Sequence, residues 1–330
     1  MPERIVVRAP NWLGDTVLSL PALRDLRRNF PAARLEVLAR PAVAEIYEAV
    51  GEVDAVRETR GPLADAAALE GGAFDLGVLF PNSFGTALQL FRAGVPERWG
   101  YSTEGRAALL TRRCPVPHEV RGESEVYYYR AMLAGLGLHV TAAPDATLAP
   151  RPAWRERASS LLGGDGPWLG INPGASFGTA KRWLPERYAA VADRLARRYG
   201  LRPVVVGGAA ERPVAEALAA AMRTKPTVLC GETSVGELLG VLGELRLLLT
   251  NDSGPMHLAA AVGTPVVAIF GPTDPGRTAP SGAPFRLLDR YVFCSPCFRS
   301  KCPYGHECMK EITVEMALAA CEAMLGRPSS

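Results

Sequence analysis

Short apolar runs recur along the chain, each closed by Gly, Pro, Asn, Asp or Ser and followed by a stretch with helical spacing. Residues 4–9 (Arg-Ile-Val-Val-Arg-Ala) read as a first strand, and 10–15 (Pro-Asn-Trp-Leu-Gly-Asp) as the loop after it. Asp15 or Thr16 caps the next helix, which runs to about Asn29. Its Val17, Leu20, Leu23 and Leu26 share one face, with Arg24, Arg27 and Arg28 on the other. A strand at 35–39 is followed by helix, strand and helix to about Gly71. Residues 74–80 form another buried strand, 81–86 its loop and 87–91 its helix. This alternation predicts a parallel, doubly wound sheet. Residues 101–117 show no period and read as an irregular stretch. Its Arg106, Arg112 and Arg113 suit either a solvated loop or a rim for an anionic partner. Residues 123–135 are helical, and the Pro- and Ala-rich 140–152 reads as a linker between domains.

The alternation then restarts. Residues 168–172 are a strand, 173–182 a Gly-rich loop, and Pro185 sits in the first turn of a helix. A strand at 203–208 leads to a helix opened by Glu211, and a strand at 227–230 to one opened by the capping box Ser234-Val-Gly-Glu237. The apolar run 245–249 ends in Asn251, Asp252, Ser253 and Gly254, which are turn and N-cap types, with Pro255 suited to a first helical turn. Gly263 and Pro265 stop that helix. A strand at 266–270, a polar loop at 271–274 and a last helix at 314–325 complete the half. The expected architecture is therefore α/β, with two Rossmann-like doubly wound domains facing across a cleft. They divide at 1–150 and 151–330, and the last helix is placed to pack back on the first domain.

A chain of 330 residues can bury two full cores, and 48% hydrophobic with 22% charged residues is ordinary for a globular protein. A net charge of +3, spread along the chain, does not point to nucleic acid. There is no basic-then-apolar leader and no long apolar span, so the expectation is a cytoplasmic protein whose membrane contact is peripheral. Seven cysteines, an odd number, argue against a disulfide framework.

Three loops of the second half, 173–182, 207–211 and 251–257, lie at carboxyl ends of strands, where parallel sheets bind ligands. The first offers backbone N–H groups, the hydroxyls of Ser176 and Thr179, and the cations Lys181 and Arg182, a set suited to a diphosphate. Residues 251–254 either cap a helix or, with the helix N-terminus, hold an anion beside His257. Glu211 is placed for a ribose hydroxyl or simply for a helix start. Asp15 is either an N-cap or a general base for an acceptor hydroxyl. Neither a P-loop nor a Gly-x-Gly-x-x-Gly after the first strand is present. Cys294, Cys297, Cys302 and Cys308, with His306, have spacing that suits either a structural zinc or a reduced, tightly turned segment.

Several blocks taken together resemble glycosyltransferase family 9: Asn11-Trp-Leu-Gly-Asp15, Asn172-Pro-Gly-Ala175, Lys181-Arg-Trp-Leu-Pro185, Asn251-Asp-Ser-Gly-Pro-Met-His257 and Phe270-Gly-Pro-Thr-Asp274-Pro. The resemblance implies the B-type glycosyltransferase fold, an acceptor-binding first domain and a nucleotide-sugar-binding second one. It implies inverting, metal-independent transfer of heptose from ADP-heptose to the phosphorylated inner core of lipopolysaccharide, at the inner membrane and without a cofactor. Asp15 would then be the base. Lys181, Ser176 and Thr179 would bind the diphosphate, Asp252, Ser253, Gly254 and His257 the phosphates and sugar, and Glu211 the ribose. The cysteine segment is similar in members of the family. Rival readings are another nucleotide-sugar transferase or epimerase, a sugar-nucleotide binding protein, or a zinc-linked interaction module.

Overall fold

A computed structural model describes residues 1–61, 65–67, 69 and 73–326. The chain divides into two compact units, Met1–Ala146 and Thr147–Ser330.

In the first unit, β1 (Arg4–Arg8), β2 (Arg34–Ala39), β3 (Ala55–Glu58), β4 (Leu76–Leu79), β5 (Glu97–Tyr101) and β6 (Arg112–Cys114) form one parallel sheet in the order β3-β2-β1-β4-β5-β6. The middle strands are the most apolar because both of their faces are covered. Helices α1 (Leu13–Asn29), α2 (Pro41–Glu48), α3 (Phe84–Arg92) and α4 (Glu125–Gly135) connect and cover the strands, with α1 packed on α4. The Ser83 hydroxyl caps α3 by accepting from the Thr86 N–H. The helix expected to run to Gly71 falls partly outside the described residues.

The stretch read as irregular holds an edge strand. β6 pairs in parallel with β5, and a 3-10 turn at Arg106–Leu109 lies between them. Arg106 is not a rim residue. It is fully buried, and its guanidinium donates to the carbonyls of Tyr101 (2.9 Å) and Pro81 and to Asn82 Oδ1 (3.4 Å). Arg112 stacks over Trp99, and Arg113 donates to the Ala107 carbonyl. The arginines of α1 are also engaged: Arg24 with Asp145 and Glu52, Arg27 with Asp54 and three carbonyls, and Arg28 with Asp25.

The second unit repeats the plan with β7 (Trp168–Asn172), β8 (Arg202–Val205), β9 (Thr227–Val228), β10 (Leu245–Asn251), β11 (Val266–Ile269) and β12 (Phe285–Leu288), ordered β12-β11-β10-β7-β8-β9 and again parallel. Taken in chain order within each unit, both sheets run 3-2-1-4-5-6, the Rossmann order, with switch points between β1 and β4 and between β7 and β10. The helices are α5 (Pro152–Leu162), α6 (Pro185–Tyr199), α7 (Arg212–Ala221), α8 (Val235–Gly243), α9 (Gly254–Ala261), α10 (Pro275–Thr278), α11 (Glu307–Lys310) and α12 (Val314–Leu325).

Helix α5 starts inside the stretch read as a linker. Pro152 sits in its first turn, and the helix packs on α8, where Gly236 and Gly240 leave room for the Trp154 ring and backbone. The Ser234–Glu237 capping box of α8 is present in full. Helix α12, for which the sequence suggested a return to the first half, lies on α6 and on strands β10 to β12. Its Ala317 and Cys321 join Leu247, Leu249, Val267 and Ile269 in one buried cluster.

Candidate functional site

Strands β7 and β10 are neighbours at the switch point of the second sheet, and each ends in a fully buried asparagine. Asn172 donates to the Val206 carbonyl (2.9 Å), while its Oδ1 accepts from Ser253 Oγ (2.7 Å) and Thr250 Oγ1 (3.2 Å). Asn251 Oδ1 accepts from the Trp183 N–H (3.0 Å) and the Tyr188 hydroxyl (2.7 Å), and its amide donates to the carbonyls of Pro173 (2.9 Å) and Gly174 (3.1 Å). All four hydrogen-bonding positions of Asn251 are thus used inside the protein. One amide fixes both ends of the loop 173–182 onto the strand beside it.

On this base sits a charged cluster. Lys181 Nζ lies 2.6 Å from Asp252 Oδ2, and the Thr273 hydroxyl donates to the same oxygen at 2.6 Å. The ammonium also stands 5.1 Å from the centre of the Phe177 ring. Residues of three different loops, Lys181, Asp252 and Thr273, therefore meet at one point. An ammonium has three donors, so Lys181 can hold Asp252 and still present donors to an anion.

His257, in the first turns of α9, is buried, and its Nδ1 has no hydrogen-bond partner among the described residues. Burial pushes its pKa down to about 4, against the pull of Asp252 and with some help from Lys181, so the imidazole is neutral at pH 7. Ser253 is the N-cap of α9, yet its hydroxyl turns to Asn172 rather than to the helix amides. The first turn, which starts at Gly254, therefore has no side-chain cap, and such a helix end favours an anion.

Glu211 is buried on the neighbouring loop. Its carboxylate accepts from the Gly208 N–H (2.9 Å), and a Cβ at Gly174 would collide with it. Gly207 leaves room for Glu211 in the same way, since a Cβ there would come within 2.7 Å of its Oε2. Ser176 and Thr179 are exposed and make no side-chain hydrogen bond among the described residues.

Asp15 belongs to the first unit. Helix α1 begins at Leu13, three or four residues earlier than the sequence suggested, and its N-cap position is Trp12. Asp15 is therefore in the first helical turn and is not the N-cap. It is half-buried, and its charge acts on the buried phenols of Tyr47 and Tyr129. Arg8, buried at the end of β1, donates to Asn11 Oδ1 (2.9 Å) and so braces the loop before it.

All seven cysteines are free thiols. Cys294, Cys297, Cys302 and Cys308 line one small cavity with His306, but among the described residues no set of three or more His, Cys, Asp or Glu side chains is placed to hold a metal ion. The segment that carries them is tied to both site loops. Ser300 O accepts from the Ala180 N–H (3.0 Å), and His306 Nε2 meets the Ala180 carbonyl (2.7 Å). Pro272 O accepts from the N–H groups of Cys297 and Phe298. Gly178, at φ +150°, has no room for a side chain against Ser300.

Sequence reasoning held Asn172, Asn251 and Thr273 within its motifs but gave them, and Thr250, no part of their own in the site. A polar residue closing an apolar run reads as a turn, and the pairing of β7 with β10 is what makes the two asparagines neighbours.

Comparison with known proteins places this geometry in context. Residues 64–307 match the model of "Glycosyltransferase family 9 (heptosyltransferase)". Lipopolysaccharide heptosyltransferase 2 of Escherichia coli (strain K12) is 30% identical over 345 residues, with 98% of each chain covered. Lipooligosaccharide heptosyltransferase 2 of Haemophilus influenzae is 28% identical, covering 98% of this chain and 99% of that one. The solved structure of the E. coli ADP-heptose lps heptosyltransferase II superposes with a TM-score of 0.87 at 27% identity, over 98% of both chains.

Proposed function

This chain belongs to glycosyltransferase family 9, and from that premise we propose that it transfers heptose from ADP-heptose to the inner core of lipopolysaccharide with inversion. The observation that carries the reading is the cluster of Lys181, Asp252 and Thr273 beside the uncapped start of α9. It fixes the ammonium of Lys181, held by Asp252, beside the first-turn amides at the carboxyl edge of a switch point, the place where open α/β sheets bind nucleotides. The relatives are named as heptosyltransferases, and the solved relative as one that uses ADP-heptose.

In this reaction the glycosidic oxygen of the donor leaves on ADP, and negative charge grows on the diphosphate. Lys181 and the first-turn amides of α9 offset that charge from fixed positions, so no reorganisation is needed as it develops. The neutral His257 brings an unpaired ring nitrogen to the donor. Glu211 takes a ribose hydroxyl, and Ser176 and Thr179 take phosphate oxygens. Asp15, from the first unit, removes the proton of the acceptor hydroxyl as it attacks the anomeric carbon. The acceptor is a phosphorylated glycolipid, so the enzyme works in contact with the inner membrane. No helix of the described chain is long and apolar enough to cross one.

The test is release of ADP from ADP-heptose. It should require a heptose-deficient lipopolysaccharide acceptor and should yield the opposite anomeric configuration. Release without acceptor, or interconversion of the donor sugar, would refute the transfer.

A further inference from the structure

The segment 290–304 is built unlike the rest of the surface. Four of the eleven exposed large hydrophobic side chains of the described protein fall in it: Tyr291 (71% exposed), Phe293 (82%), Phe298 (49%) and Tyr304 (55%). All four are aromatic. Scattered apolar residues on a surface need no explanation, but a cluster of this kind marks a contact site. Two of the four also meet in space. Phe293 and Tyr304 pack edge to face with ring centres 5.2 Å apart, and Val292 and Tyr304 line the same small cavity with the four thiols.

Two further features set its character. Between Arg290 and His306 the charges are Arg290, Arg299 and Lys301, with no acidic residue. Arg299 and Lys301 are exposed and form no ion pair among the described residues. Phe298 sits at φ +53°, a backbone region that a bulky side chain rarely adopts. Its N–H donates to Pro272 O at 2.7 Å, so the loop is held in this shape with the ring half in solvent. Strain of this kind persists where function requires it.

We infer that segment 290–304 is the surface by which the enzyme rests on an anionic lipid bilayer, with its aromatic rings at the headgroup level and its three cations against headgroup phosphates. Aromatic side chains beside unpaired cations are the composition that binds the membrane interface, and each cation near an anionic surface strengthens partitioning about fivefold. The backbone of the same segment holds the loops of Lys181 and Thr273, through Ser300 to Ala180 and through Cys297 and Phe298 to Pro272. Contact with the membrane would therefore be made next to the donor site. The inference rests on the proposed peripheral contact and names the residues that make it.

The test is flotation of the full-length protein with vesicles of phosphatidylethanolamine and phosphatidylglycerol, and with phosphatidylcholine alone. Wild type should float with the anionic vesicles and be released by salt. Arg299→Gln with Lys301→Gln should weaken binding by about 25-fold, from two cations at about fivefold each, and Phe293→Ser should weaken it further. ADP release with a soluble, delipidated acceptor should stay unchanged in all of them. Wild type that ignores anionic vesicles would overturn the membrane contact itself. Wild type that binds them while the variants bind as well would overturn this surface alone. Equal binding to phosphatidylcholine would remove the role of the cations. A dimer in ultracentrifugation that the Phe293→Ser variant abolishes, without vesicle binding, would assign the patch to a second copy of the chain instead.

Discussion

Replacing Lys181 by Met separates its ion pair with Asp252 from the role proposed for it at the diphosphate. In the folded protein Lys181 is the ionic partner of Asp252, and the two side chains are 14% and 4% exposed. Removing one member of a buried pair leaves the other charge uncompensated, which typically costs about 3–5 kcal/mol. The Thr273 hydroxyl still donates to Asp252 Oδ2. It offsets about 1–1.5 kcal/mol of that cost, so the expected loss of stability is about 2–4 kcal/mol. In a unit of this size that corresponds to a Tm lower by roughly 5–15 °C. Turnover should fall by a further factor of about 30 to 1,000, because a transition-state contact to the leaving diphosphate is worth about 2–4 kcal/mol.

The double variant Lys181→Met/Asp252→Asn tells the two losses apart. The amide keeps the bond from Thr273 without the buried charge, so thermal stability should largely return while ADP release stays low. Calorimetric unfolding and steady-state ADP release on the same three proteins are the assays. If Lys181→Met melts with the wild type, the ion pair contributes nothing to stability. If the double variant regains turnover, Lys181 only neutralises Asp252 and does not serve the diphosphate.

Asp15→Asn keeps the shape of the first turn of α1 but removes the proposed base. Transfer should drop about 10²- to 10⁴-fold with ADP-heptose affinity retained by calorimetry, and parallel loss of both would make Asp15 structural. His257 takes up a proton near pH 6.5 when unfolded but only near pH 4 when folded. The unfolded state thus binds more protons between these values, and stability should fall by up to about 3 kcal/mol as pH drops from 6.5 to 4; an identical pH profile of Tm for His257→Gln would contradict this. Charge offset by Lys181 and the helix amides predicts that EDTA leaves turnover intact, and loss restored by magnesium or manganese would refute it. Asn251→Leu strands the Trp183 N–H, the Tyr188 hydroxyl and two carbonyls, so stability should fall by about 2–4 kcal/mol together with donor affinity. Unaltered donor affinity in a folded variant would show that the loop 173–182 does not need its anchor.

The parts of the fold that were legible in sequence are those with the highest density of buried side chains. β7, β10 and β11 appear within a residue or two because strands covered on both faces must be apolar throughout. β6 (Arg-Arg-Cys) and β12 (Phe-Arg-Leu-Leu) are edge strands that keep arginines exposed, and they carry no such run. Helix α5 hid behind Pro152, which reads as a linker residue but here opens a helix. Arg106 was misread because an arginine in an aperiodic stretch looks solvated, whereas its fork satisfies carbonyls that the turn of the chain leaves buried. In the site, Lys181 and Asp252 could each be singled out from its loop. Their pairing across 71 positions depends on which strands are neighbours, and no local pattern encodes that.

The buried asparagines explain how such a site keeps its shape. Polar groups in a core are costly unless each finds a partner. Around Asn172 and Asn251 they do: hydroxyls, backbone amides and carbonyls of three loops are matched to two side-chain amides. A network satisfied in this way is rigid and admits one loop arrangement. What the network leaves unmatched lies at its edge: the Nδ1 of His257 and the uncapped first turn of α9, next to a lysine whose remaining donors are unspent. Satisfied groups fix the geometry, and the unsatisfied ones are those proposed to meet the donor. The cysteine segment belongs to the first class, since it holds Ala180 from both sides through Ser300 and His306. Its bond from His306 requires the tautomer protonated at Nε2. The position of Lys181 is therefore set from two directions, by Asn251 through the start of its loop and by the cysteine segment through the end. This explains why residues so far apart in the chain act on one ammonium.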